Sequence, residues 1–233
     1  MARKRAREPD ARLKLMVSST VYGIEDMLDQ MYAFLQTAGF EVWMSHAGTV
    51  AIYPHQTALA NCLQAVRDCD LFLALITPRY GSGVLPGELG ITHQELLKAI
   101  ELKKPRWILA HDHVVFVRTL FDKLGCRNAR ERDAMLARIG FDDEQKRRKL
   151  RKKHERVIDD FRVIDMYDAA ARHDIQVYQD RVGNWVQKFR TSDEGLLFAT
   201  AQFGRYREIE RFLKEHLASE SALRAELARR PKS

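Results

Sequence analysis

A chain of 233 residues, 45% hydrophobic and 30% charged, can bury one sizeable core but contains no apolar run near the roughly 20 residues that a membrane span requires. Much of its formal charge of +7 sits in two places, Ala2 to Arg7 and Lys146 to Lys153, which argues against a basic surface spread over the whole molecule. Cys62, Cys69 and Cys126 form no CxxC pair, so they provide no thiolate metal framework; they read as buried thiols of a reducing, cytoplasmic protein. The basic start has no apolar segment behind it and is not a secretion signal.

Residues 1–11 read as a disordered tail. Leu13 to Val17 is a first strand that runs into the polar turn Ser18-Ser19-Thr20-Val21-Tyr22-Gly23. Ile24, Met27, Leu28, Met31, Phe34, Leu35 and Ala38 recur at helical spacing, and Gly39 stops the helix at the position where a left-handed residue is favoured. Glu41 to Ser45 is a second strand, followed by a polar loop from His46 to Gln56. Leu59, Cys62, Leu63 and Val66 mark a second helix. Leu71 to Ile76 is an uninterrupted apolar run of strand length, the pattern of a strand buried on both faces. A Thr-Pro-Arg-Tyr-Gly turn and a Gly-rich loop from Gly81 to Gly90 lead to Thr92-His93-Gln94-Glu95, which opens a third helix. Arg106 to Ala110, after Pro105, is a fourth strand.

This alternation predicts an α/β core over residues 12–126, completed by a later strand into a five-stranded parallel sheet of order 2-1-3-4-5. Val114 to Leu124 is helical. Residues 127–174 form a charged helical insertion with a thin apolar stripe of Val157, Phe161, Ile164 and Ala171. Ile175-Gln176-Val177-Tyr178 is the expected fifth strand. Residues 184–189 lead into a C-terminal amphipathic helix through Leu197, Phe203, Ile209 and Leu217, with a frayed tail over 218–233.

In such a sheet the crevice between strands 1 and 3, at their carboxyl ends, is where a ligand binds. The loops Ser18 to Gly23 and Thr77 to Gly83 converge there. Hydroxyls of Ser18, Ser19 and Thr20, the cation Arg79 and two helix N-termini suit a phosphate, and Tyr22, Tyr53 and Tyr80 could stack on a base. Glu95 stands near the same mouth. Thr92-x-x-Glu95 equally matches a capping box, in which the carboxylate bonds only the Thr92 N–H, and Ser18 to Thr20 equally suit a cap for the first helix. His111-Asp112-His113 lacks further ligands spaced near it and reads as no metal site. The run Lys146 to Arg156 reads as a solvated helix face and not as a nucleic-acid surface, because acidic residues follow it and no aromatics interleave.

The stretch Leu15-Met16-Val17-Ser18-Ser19-Thr20-Val21-Tyr22-Gly23 resembles the V-F-V-S-S-T opening of an uncharacterised bacterial family of the TIR-like superfamily. Tyr80-Gly81 followed by Thr92-His93-Gln94-Glu95 and Ala99 resembles its second motif. The likeness covers residues 13–110. It implies a flavodoxin-like fold and, as in active TIR-like members, cleavage of the nicotinamide–ribose bond of NAD by one glutamate, here Glu95. Ser18 to Tyr22 would line the nucleotide pocket, and the loop 46–56 would mediate self-assembly in bacterial defence or signalling. NAD is then substrate, with no cofactor implied. A non-catalytic TIR-like interaction module and a nucleoside deoxyribosyltransferase-like enzyme are the alternative readings, since fold alone does not fix function.

Overall fold

The computed structural model describes residues 12–81, 88–138, 157–205 and 208–211. The N-terminal basic tail, the middle of the Gly-rich loop, the Lys146 to Lys153 run and the tail over 218–233 lie outside the described residues.

Five strands form one parallel sheet: β1 (Lys14–Ser19), β2 (Glu41–Trp43), β3 (Leu71–Ile76), β4 (Arg106–His111) and β5 (Val186–Phe189), in the order β2-β1-β3-β4-β5. The chain is therefore α/β with the expected sheet order. The central strand β3 is buried along its whole length, and its alternate residues serve two cores. Leu71, Leu73 and Leu75 join Leu15, Val17, Met27, Met31 and Phe203 on the face covered by α1 (Glu25–Thr37) and by the C-terminal helix Ser192–Phe203. Phe72, Ala74 and Ile76 join Met16, Val66, Leu96 and Ile164 on the face covered by α2 (Ala58–Asp68), α3 (Ile91–Glu101) and the insertion. Each fully buried Leu or Phe contributes about 1.5–3 kcal/mol, so the two-sided apolar run at β3 is the main anchor of the sheet.

Helix boundaries follow local chemistry. Thr57 caps α2 by accepting from Ala60 N at 3.1 Å. Gly39, at φ +107°, reverses the chain after α1 while Phe40 N donates to Leu35 O. Beyond β4 the chain turns at once into α4 (Asp112–Lys123), then α5 (Ala129–Arg138) and α6 (Arg162–Ala170); the C-terminal helix Ser192–Phe203 is α7. Buried Arg132 on α5 donates to Asp165 on α6 at 2.9 Å, and Arg118 on α4 donates to Asp168 at 2.6 Å. The described part of the insertion is thus docked on the α3 side of the sheet by charge-assisted bonds as well as by Val163, Ile164 and Met166.

The fifth strand differs from expectation. Residues 175–178 do not enter the sheet: Val177 and Tyr178 are 53% and 72% exposed, and Tyr178–Asp180 is a single 3₁₀ turn. The strand is Val186–Phe189, which pairs with β4 from Ile108↔Val186 to His111↔Phe189. An edge strand has one neighbour and needs few apolar residues; of these four only Phe189 is fully buried, so the apolar alternation at 175–178 was the stronger signal and the wrong one.

Gly81 closes the turn after β3 at φ +86°, and a Cβ there would stand 2.6 Å from Cγ2 of Thr20. Gly81→Ala is expected to cost about 1–3 kcal/mol from the left-handed backbone and that contact together, read as a lower denaturant midpoint at unchanged slope.

Candidate functional site

Period-two alternation along β1 sends Leu15 and Val17 toward α1 and Met16 and Ser18 toward α2 and α3. Ser18 is the last buried residue on that face. Its hydroxyl donates to Oε2 of Glu95 on α3 at 2.5 Å, across 77 residues of sequence. Cys62 on α2 also hydrogen-bonds the Glu95 carboxyl. A strand and two helices therefore converge on one acidic side chain, which is only 3% exposed. Burial raises the Glu95 pKa to about 7, against the opposing effect of the Ser18 and Cys62 hydrogen bonds. Burial, reinforced by the adjacent carboxyl, pushes the Cys62 thiol up to about 12, so it remains a protonated donor and not a thiolate nucleophile at neutral pH.

The capping-box reading of Glu95 is overturned by the helix start. α3 begins at Ile91 with Gly90 as its N-cap, which leaves Glu95 in the second turn, facing β1. Ser18 to Thr20 likewise do not cap α1, whose N-cap is Ile24.

At the carboxyl ends of β1 and β3 the two polar loops are stitched together. The hydroxyls of Thr20 and Thr77 lie 2.5 Å apart, and Thr20 donates to the Arg79 carbonyl at 2.8 Å. Ser19, half-buried, donates to the Thr20 carbonyl at 2.8 Å. Arg79 is half-buried, and Tyr22 is exposed at 64%. Tyr80 turns inward: its hydroxyl accepts from Gly90 N at 3.0 Å and lies 2.8 Å from Nδ1 of His93. Burial holds His93 below its ordinary pKa, which favours the neutral ring beside the Tyr80 hydroxyl. One face of the Tyr80 ring carries the Arg162 guanidinium at 4.3 Å, and Tyr80 N donates to Asp159 at 2.9 Å. Tyr80 is thus a buried support of the loop, while Ser18, Ser19, Thr20 and Arg79 gather at the carboxyl ends of β1 and β3 with Glu95 behind them.

Two contributors were not foreseen. Cys62 reads in sequence as one more apolar position of α2. Arg162 sits 82 residues beyond Tyr80, and no local pattern announces the stacking. Asn61, beside Cys62, accepts from Tyr53 N at 2.9 Å and so fastens the 46–56 loop to α2. The histidines of the His111-Asp112-His113 run also come together, their rings 4.6 Å apart.

This is a doubly wound α/β domain with a buried carboxylate behind its topological switch point. By sequence the chain belongs to the family described as Domain of unknown function (DUF4062), whose profile matches residues 14–194. No curated protein matches the chain. Among the described residues no helix is long and apolar enough to cross a membrane.

Proposed function

We propose that this chain is a TIR-like, nucleotide-processing protein that cleaves the nicotinamide–ribose N-glycosidic bond of NAD or a related nucleotide, with Glu95 as the reactive carboxylate. The observation that supports this most is the Ser18–Glu95 hydrogen bond, because it joins the two motifs of the family resemblance in one cluster near the carboxyl ends of β1 and β3, where α/β proteins hold ligands. The chemistry asks little of the protein. The C1′–N bond breaks with its electron pair leaving on nicotinamide, which departs neutral and needs no general acid. The ribosyl cation that remains requires a negative charge nearby, and water then adds to it and gives up a proton. A lone carboxylate with a pKa of about 7 can supply the charge when ionised and accept the proton. Ser18, Ser19, Thr20 and Arg79 would bind the phosphates, and Tyr22 would flank a ring.

The test is nicotinamide release from NAD by the purified full chain, followed by chromatography, beside Glu95→Gln. Turnover that falls about a hundredfold or more in the variant supports the reading; absence of release by the wild type at any protein concentration overturns it.

The 3% exposure of Glu95 favours a second reading, a module that signals through assembly without turning over a nucleotide. Its contact surface would be the 46–56 loop, where Ile52 is 71% exposed while Asn61 holds the loop backbone in place. Concentration-dependent assembly without nicotinamide release would distinguish it.

A further inference from the structure

We propose that Asp159 and Arg162, where the insertion enters α6, are positioning residues for the nucleotide cleavage proposed at Glu95, a role that rests on that reading. They clamp both ends of the connection between β3 and α3, which makes the insertion part of the site. The first end is Pro78 to Tyr80. Asp159 N donates to the Pro78 carbonyl at 3.1 Å, and Tyr80 N donates to Oδ1 of Asp159 at 2.9 Å. One residue of the insertion thus closes a reciprocal pair with the chain leaving β3. The second end is Glu88, just before Gly90, the N-cap of α3. Its carbonyl accepts from Nη1 of Arg162 at 2.7 Å. The same guanidinium lies 4.3 Å from the centre of the Tyr80 ring, so a single side chain touches both ends.

Arginine suits all of these contacts at once. Asp160 accepts from Nε at 3.1 Å through Oδ1 and from Nη2 at 2.7 Å through Oδ2, a two-point grip that fixes the plane of the guanidinium. With the plane fixed, Nη1 is aimed at Glu88 and one face is offered to Tyr80. An ammonium has neither a fork nor a flat face, so lysine would carry the charge without the clamp. The two ends matter because of what they hold. Arg79 stands between Pro78 and Tyr80, and its carbonyl accepts from Thr20 at 2.8 Å. Gly90 N donates to the Tyr80 hydroxyl at 3.0 Å. The clamp therefore sets the spacing between the loops proposed to bind phosphate and the start of the helix that carries Glu95. Arg118 also docks the insertion, through Asp168 at 2.6 Å, but toward the other end of α6.

The experiment pairs amide hydrogen exchange, read by NMR, with steady-state nicotinamide release from NAD, on the full chain and its variants. In Arg162→Ala the Tyr80 and Gly90 amides should exchange about tenfold faster or more, while the amides of β1 and β3 keep their wild-type protection. Asp159→Ala should do the same at Tyr80. Nicotinamide release by Arg162→Ala should show KM raised about tenfold or more, with kcat and its pH dependence little changed, because the phosphate-side loops shift and the carboxylate does not. Arg162→Lys should resemble Arg162→Ala, and Arg118→Ala should leave both readouts as in the wild type. Unchanged exchange at Tyr80 and Gly90 in Arg162→Ala overturns the clamp. Equal acceleration in Arg118→Ala overturns it too, since that marks a general loosening of the insertion. A fall in kcat at unchanged KM overturns the positioning role. If the wild type releases no nicotinamide, the cleavage reading falls by itself, and the exchange rates still decide the clamp.

Discussion

Glu95→Gln is expected to be more stable than the wild-type chain above pH 7, by about 3 kcal/mol, while losing whatever activity the carboxylate supports. The sign follows from proton binding. Burial lifts the folded-state pKa from 4.5 to about 7, so between those values the folded chain holds more protons than the unfolded one. Stability contributed by this group is complete below about pH 4.5, declines as pH rises, and is fully lost once pH passes about 7, where folding must bury an ionised carboxylate. Glutamine has nearly the same shape and no charge to bury. Ser18 can rotate its hydroxyl to accept from the new amide, so the contact survives the substitution. The measurement is urea unfolding of both proteins from pH 4 to pH 9. Other groups titrate equally in both, so their difference isolates Glu95. Parallel stability curves across the whole range would mean that the carboxylate is solvated, and would remove the electrostatic basis of the site.

A buried acid that destabilises its own fold is readily lost unless function holds it. That energetic cost is what supports the proposal that the Ser18–Glu95 pair belongs to a functional site. A structural role at that position would be filled better by leucine or methionine, which need no hydrogen-bond partners in a core lined by Met16, Val66 and Leu96.

The sheet was legible because its central strand writes the same message on every residue. Leu71 to Ile76 is apolar throughout, and only a strand covered on both faces tolerates that. The amphipathic period of α1 and the stop at Gly39 were equally plain. The edge strand was not. Val186-Gln187-Lys188-Phe189 alternates weakly, and its place is set by pairing with β4 and by Phe189 meeting His111 at 5.3 Å, which are properties of the fold and not of the segment. The site divides in the same way. Ser18 and Glu95 could be brought together from topology, because β1 and α3 flank the same switch point. Cys62 and Arg162 could not, since each is ordinary in its own stretch and acquires meaning only from a neighbour far away in sequence. The capping-box pattern at Thr92 misled because Gly90, which lacks a side-chain acceptor, starts the helix two residues earlier.

Tyr80→Ala should destabilise the fold by about 3–5 kcal/mol, the range for deleting a buried aromatic ring. The loss has three parts. The ring is buried in the core face shared by Ile76, Leu96 and Val163, so its removal leaves a cavity. Its hydroxyl serves Gly90 N at 3.0 Å and His93 Nδ1 at 2.8 Å, and both would remain buried without that partner. The Arg162 guanidinium, 4.3 Å above the ring, would lose its stacking surface while still held by Asp160 and by the Glu88 carbonyl at 2.7 Å. Tyr80→Phe separates these terms: it keeps the ring and the stacking, strands the two polar groups, and should cost about 1–3 kcal/mol. A cost for Tyr80→Ala no greater than that for Tyr80→Phe would show that the cavity collapses freely and that the loop between β3 and α3 is not fixed by this ring. The expected order, Tyr80→Ala well beyond Tyr80→Phe, makes Tyr80 the post that holds Arg79 at the carboxyl end of β3 and Gly90 at the start of the helix carrying Glu95. Under the proposed function, Tyr80→Phe is expected to weaken nucleotide binding through a displaced loop, with the Ser18–Glu95 hydrogen bond and the pH dependence of Glu95 unchanged.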